Sequence, residues 1–232
     1  MLIDQAMILA AGFGRRLHPL TQTTPKPLIP VLDKPILAHT LEHLRHGGIK
    51  RCVVNTHHLA EQIHNFLEHV HEPEIIISHE PKILETGGGI RQALPAFHHN
   101  AFFSVNGDIW WEDQDIFNKL RQFWDPKRMD GILAVVACNQ AIDFPGNGDY
   151  YISPDQKLRH RGLHHEAPYI YSGIQLLHPR IFHDMPGGAF SLLDLYHHLE
   201  RRGRLYGLPL EGSWCDIGTP QTLAKLKQHL HS

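Results

Sequence analysis

Between Ala6 and Cys138 the chain alternates short apolar runs that end in turn residues with longer segments of helical spacing. This rhythm leaves few folds open. Ala6–Ala10 reads as a buried strand running into glycines. Pro35–His46 sets Ile36, Leu37, Thr40, Leu41 and Leu44 on one helical face, and Gly47-Gly48 ends it. Cys52–Asn55 reads as a second strand, and Leu59, Ile63, Phe66 and Leu67 mark a second helix. Glu74–Ile77 and Phe102–Val105 are the next strands. Gln114–Phe123 reads as a helix, and Ile132–Cys138 as another strand. Strands separated by helices need crossovers, which implies a Rossmann-like α/β fold: a mostly parallel mixed sheet with helices on both faces.

After Asp143 the rhythm changes. The segment to about residue 170 is rich in turn residues and reads as a small antiparallel insertion. Strands at Tyr169–Leu177 and Tyr206–Leu210 and helices at Leu192–Arg202 and from Pro220 follow. At 232 residues, with no linker or repeat, the expectation is one catalytic domain spanning 1–232. The net charge of −2 comes without a basic patch, so no nucleic-acid surface is expected. Three cysteines without metal-type spacing argue for a reducing, cytoplasmic setting, and no stretch reads as a signal peptide or membrane span. The 21 histidines, many in doublets such as His57-His58, His98-His99, His164-His165 and His197-His198, form no HExxH and read as surface residues.

Ala11, Gly12 and Gly14 follow the first strand. Glycines here let the backbone bend sharply and turn its N–H groups toward anionic oxygens. The third glycine of a dinucleotide fingerprint is replaced by Leu17, and no P-loop Gly-Lys-Ser/Thr follows. The missing third glycine, together with Lys26, argues against a nicotinamide-dependent oxidoreductase. Lys26 lies between Pro25 and Pro27, held on restricted backbone where it can meet a phosphate at small ordering cost. Asn106-Gly107-Asp108 closes a strand, and parallel sheets bind ligands at the carboxyl ends of their strands.

Together, GFGRRLHPLTQTTPKPLIPVLDKP resembles the signature of the sugar-1-phosphate nucleotidyltransferases, also called sugar-nucleotide pyrophosphorylases. The resemblance implies transfer of a nucleotidyl group from a nucleoside triphosphate to a sugar 1-phosphate, with Arg16 and Lys26 on phosphates as the catalytic cations. It implies an Mg²⁺ cofactor held by Asp108 and Asp216, the latter in SWCDIGTP. It places Gly87 and Gly88 of LETGGGI against the base, with Glu80 or Glu85 nearby and Asn106 at the nucleotide. On the sugar side it points to Gly148, Asp149 and Ser172 in GNGDYY and YIYSGI. Many relatives carry a mid-chain Glu-Lys-Pro lysine that grips the sugar phosphate. LRHRGLHHEAP lacks it and leaves Arg159, Arg161 or a histidine as substitutes.

Without a β-helix tail, the chain is most similar to bacterial N-acetylmuramate 1-phosphate uridylyltransferases of cell-wall recycling, which favours UTP as the nucleotide. Guanylyltransferases acting with GTP on mannose or heptose 1-phosphate share the N-terminal motifs. A catalytically inactive nucleotide-sugar-binding homologue is the alternative from another class; retention of Lys26, Asp108 and Asp216 argues against it. A monomer or small homo-oligomer is expected.

Overall fold

The computed structural model describes residues 2–98, 101–185 and 187–231. His99, in one of the doublets, lies outside them. In chain order the strands are β1 (Gln5–Leu9), β2 (Pro30–Val31), β3 (Lys34–Pro35), β4 (Arg51–Thr56), β5 (Glu74–His79), β6 (Phe102–Asn106), β7 (Ile109–Trp111), β8 (Gly131–Ala137), β9 (Tyr150–Ile152), β10 (Leu158–His160), β11 (Tyr169–Leu177), β12 (Leu205–Pro209) and β13 (Trp214–Asp216). The helices are α1 (Ile36–His46), α2 (Ala60–Leu67), α3 (Glu85–Ala93), α4 (Ile116–Phe123), α5 (Leu192–Arg201) and α6 (Pro220–Leu230).

Nine strands form the main sheet. Its path runs β10-β9-β11-β6-β1-β4-β5, and β8 joins β11 to β12. Pairings among β6, β1, β4 and β5 are parallel, as is β8 with β12; β11 runs antiparallel to both β6 and β8. The Rossmann-like expectation therefore holds, and the antiparallel segment after residue 143 appears as the β9–β10 hairpin at the sheet edge.

Strand alternation builds the two cores. Ala6, Ile8, Cys52, Val54, Phe103 and Val105 pack on one face with α1, α2 and α4. Their neighbours Met7, Val53 and Phe102 point the other way and pack with α3 and α5. Burial on both faces explains why these strands read as continuous apolar runs.

A third apolar cluster matters most for position. Leu17, Ile29, Val31 and Ile36 from the start of the chain pack on Cys215, Ile217, Leu223 and Leu226 from its end. The small β7–β13 ladder pairs Asp216 with Ile109, and the Ile217 amide donates to the Asp108 carbonyl at 2.9 Å. Two acidic residues far apart in sequence are thereby fixed side by side.

Several boundaries differ from the sequence expectation. β8 stops at Ala137, and Cys138–Gln140 form a 3-10 turn. The fourth helix starts at Ile116, because Asp113 and Asp115 hydrogen-bond into the preceding turn. The glycines of LETGGGI lie inside α3 rather than before it. A Cβ on Gly87 would stand 2.3 Å from the Phe190 ring, and one on Gly88 2.4 Å from the Gly188 carbonyl. Close approach of the 188–190 segment, which outweighs the poor helix propensity of glycine, accounts for that run.

Candidate active site

The carboxyl ends of β1, β4 and β6 open onto a cleft of about 220 Å³, lined among others by Ala11, Gly12, Asn55, Glu80, Asn106 and Asp108. Glu85 and Thr86 at the start of α3 form its rim. The glycine loop enters from β1. The Ala10 amide donates to Asn55 Oδ1 at 2.7 Å, which ties the loop to the end of β4. Gly14 takes φ +62°, and a Cβ there would press on Thr21 at 2.9 Å. At Gly12 an added Cβ would meet nothing within 4 Å, so this backbone faces open space.

The prolines flanking Lys26 set a 3-10 turn that buries its side chain to 10% exposure. Its Nζ donates to Asp108 Oδ2 at 2.6 Å and lies 4.0 Å from Asp216 Oδ1. Arg16, on a far more exposed side chain, reaches Asp216 Oδ2 at 3.5 Å. Burial pushes the Asp216 carboxyl above the usual carboxylate range, the Asp108 charge adds to the shift, and Lys26 and Arg16 oppose it. Two cations and two carboxylates from the start, the middle and the end of the chain thus meet at one point. Paired hard oxygen ligands with room for more fit a divalent cation such as Mg²⁺, which keeps waters and takes substrate phosphates as further ligands. The site offers two carboxylates, and among the described residues no group of three or more His, Cys, Asp or Glu side chains forms a metal cluster, here or elsewhere.

Deeper in the cleft, Glu80 is fully buried. Its Oε1 accepts from Asn55 Nδ2 at 2.7 Å and its Oε2 from the Leu84 amide at 2.9 Å. Gly89 permits this, because a Cβ there would stand 2.6 Å from Glu80 Oε1. The structure therefore brings together Ala11, Gly12, Glu80, Glu85, Asn106 and Asp108 in the cleft, with Arg16, Lys26 and Asp216 at its edge. Gly14 shapes the loop without lining the cleft. Gly87 and Gly88 do not face it: both amides donate to the Phe190 carbonyl, at 2.9 and 3.3 Å. These amides are therefore engaged by the 188–190 segment.

The sugar-side residues are more dispersed. Gly148 takes φ +74° and lies so close to Ala167 that a Cβ would stand 2.0 Å from its carbonyl oxygen. Asp149 accepts from the Tyr171 amide at 3.0 Å, and its carbonyl accepts from the Arg161 amide at 2.8 Å. Ser172 is fully buried, with its hydroxyl donating to the Ala134 carbonyl at 2.7 Å, so its side chain does not reach open space. It sits in the β-bulge between Tyr171 and Gln175, where Gly173 at φ +86° lets the strand pass Asn106. Of the substitutes for the missing lysine, His160 is packed between Tyr150 and His197, whereas Arg161 is tied to Asp149 through its backbone and its guanidinium donates to the His165 carbonyl at 3.2 Å. A second cleft of about 360 Å³ borders Arg16 and Asp216 and is walled by Phe144, Pro145 and Gly146.

Asn55 and Thr86 went unnoticed in the sequence. A polar residue ending the buried run CVVN was a usable signal for Asn55, because a strand's carboxyl end is where ligands bind.

The nucleotidyl transferase family model matches residues 5–148, which hold the glycine loop, Lys26 and Asp108. An N-acetylmuramate alpha-1-phosphate uridylyltransferase of Caulobacter vibrioides is 37% identical over 93% of this chain and 92% of its own length. One from Neisseria meningitidis serogroup B is 33% identical, covering 93% of each chain. In fold, HddC of Yersinia pseudotuberculosis, solved with GMP-PN, superposes with a TM-score of 0.77 at 23% identity, over 98% of this chain and 99% of that one. With the glycine loop, Lys26 and the aspartate pair in place on this sheet, the chain belongs to the sugar-1-phosphate nucleotidyltransferase family.

Proposed function

We propose that the protein makes UDP-N-acetylmuramate and pyrophosphate from UTP and N-acetylmuramate 1-phosphate, in the cytoplasm, returning a cell-wall sugar to use. The observation that carries the reaction type is the convergence of Lys26 on Asp108 and Asp216 beside the glycine loop. The choice of UTP and of the sugar follows the two relatives that are 37% and 33% identical over nearly the whole chain.

In this reading a phosphate oxygen of the sugar phosphate attacks the α-phosphorus. The bond from the α-phosphorus to the bridging oxygen breaks, and that oxygen leaves with pyrophosphate. The attacking oxygen is already ionised at neutral pH, so alignment and charge neutralisation do the work. The glycine loop seats the triphosphate with the backbone of Ala11 and Gly12, shaped by Gly14. Arg16 and Lys26 meet the charge that builds on the phosphates. Asn55, Glu80, Glu85 and Asn106 hold the nucleoside end. Asp108 and Asp216 are the residues that would hold Mg²⁺, which supplies charge neutralisation and orientation of the phosphates when bound. On the sugar side, Gly148 and Asp149 shape the acceptor pocket, Ser172 fixes the bulge behind it, and Arg161 takes the place of the missing lysine.

A coupled pyrophosphate assay tests this directly. UTP, GTP, CTP and dTTP are each paired with N-acetylmuramate, glucose, mannose and heptose 1-phosphates. The reading expects the highest kcat/KM for UTP with N-acetylmuramate 1-phosphate. A higher value for GTP with mannose or heptose 1-phosphate overturns the substrate assignment. No turnover with any pair overturns the enzyme.

A further inference from the structure

The tip of the glycine loop carries Phe13, a large apolar residue in a segment expected to be small and solvated. Its ring meets the His57 ring edge-on, with centroids 5.4 Å apart at 88°, and the His58 ring at 5.5 Å and 49°. The Arg15 guanidinium lies over the same ring at 5.0 Å. Both histidines are anchored. His57 Nδ1 donates to the Glu80 carbonyl at 2.8 Å, and His58 Nε2 donates to the Thr21 carbonyl at 3.0 Å. Thr21 in turn donates through its hydroxyl to the Gly14 carbonyl at 2.8 Å. The doublet His57-His58 therefore joins three points: the loop tip, the segment after the loop, and the residue whose side chain closes the floor of the cleft.

A loop built on Gly12 and Gly14 is costly to order, because glycine has the most backbone freedom to lose. The Asn55 bond holds one end and the Thr21 bond the other. Between them, the backbone at Gly12 faces open space. The aromatic seat of Phe13 fixes the middle of the loop.

We infer that Phe13, seated on His57 and His58, is a latch that positions the glycine loop over the triphosphate before the nucleotide arrives. Phe13, His57 and His58 are positioning residues: none lines the cleft, and each acts through the loop backbone or through Glu80. The gain is preorganisation, so it shows in nucleotide affinity rather than in the chemical step. Arg15 has a place in this arrangement too, as a cation stacked on the latch rather than a group reaching for phosphate.

The inference rests on the loop being the triphosphate seat, and two readouts separate it from that reading. The first is hydrogen exchange of the full-length protein without nucleotide: Phe13→Ala should speed exchange of the amides between residues 10 and 16 while the Tm stays within about 2 °C. The second is kinetic. Phe13→Ala should raise the KM for the nucleotide about 3- to 10-fold, the range of one aromatic contact, with kcat within about twofold. Phe13→Tyr should restore both readouts, and Phe13→Leu should restore neither fully. A double-mutant cycle of Phe13→Ala with His57→Ala should be non-additive in KM. Unchanged exchange overturns the latch, and so does faster exchange with an unchanged KM. A fall in Tm of more than about 5 °C, with kcat and KM failing together and no rescue by Tyr, overturns it in favour of plain packing. If the wild-type protein turns over no nucleotide, the proposed function fails, while the exchange experiment still decides whether the latch exists.

Discussion

The two halves of the site are built differently. The proposed triphosphate end uses a single stretch of chain, from Ala11 to Lys26, hung on a buried parallel strand and closed by Asp108 at the end of its neighbour. Its groups are held by tight, local geometry: a proline-framed lysine and a left-handed glycine. The proposed sugar end is assembled from an antiparallel hairpin, a bulged strand and the loops between them, and its residues are committed largely to one another. The contrast teaches that rate should depend on the first half, and choice of acceptor on the second.

The sharpest test of that division is Lys26→Ala. It removes the cation shared by Asp108 and Asp216, and kcat should fall about 10²- to 10³-fold, the scale of one preorganised charged donor. Circular dichroism and the Tm check that the fold survives; an unfolded variant would make Lys26 a structural residue instead. Arg161→Ala should raise the KM for the sugar phosphate about tenfold and leave the KM for the nucleotide alone, as expected for one charge-assisted contact. Steady-state kinetics with each substrate varied in turn would show it, and equal effects on both KM values would break the division.

Two smaller effects set the baseline. Ser172→Ala leaves the Ala134 carbonyl and the Ile174 amide without their hydroxyl partner, which should cost about 1–3 kcal/mol of stability by urea unfolding. The KM values should stay within about twofold, and a selective loss of sugar affinity would show that the bulge itself reads the sugar. His43 is a control outside both halves. It lies against Trp111, and burial, helped by His39 and His46, pulls its imidazole down to about 4. The folded state therefore resists protonation. Its contribution is present above the unfolded value near 6.5 and is lost as pH falls toward 4. Between pH 8 and pH 6 this should remove about 1 kcal/mol or less, and His43→Leu should flatten that slope in unfolding curves measured across the range.

Much of the fold was legible in the sequence, because strands buried on both faces leave continuous apolar runs and the helices between them keep a clean 3.6-residue period. The same locality made the Ala11–Lys26 segment and Asp108 readable. Asp216 was a different case. Its meaning comes from pairing with Ile109 across the β7–β13 ladder, and only the resemblance pointed to it. Gly87 and Gly88 were ambiguous for a related reason: a run of glycines signals close approach but does not say to what, and here one partner is the 188–190 segment. The part Ser172 plays in the bulge and the seat of Phe13 on His57 and His58 were hidden because their partners are distant in sequence and their residue types are ordinary.

Asp108 and Asp216 are proposed to make one cation-binding pair that serves nucleotidyl transfer. It is tested most directly by measuring pyrophosphate release against Mg²⁺ concentration for the wild-type protein and for Asp108→Asn and Asp216→Asn. The account predicts no release without a divalent cation, saturable activation of the wild-type protein, and about 10²- to 10³-fold lower rates for both variants at saturating Mg²⁺. Wild-type rates in either variant, or turnover that ignores the cation, would contradict it.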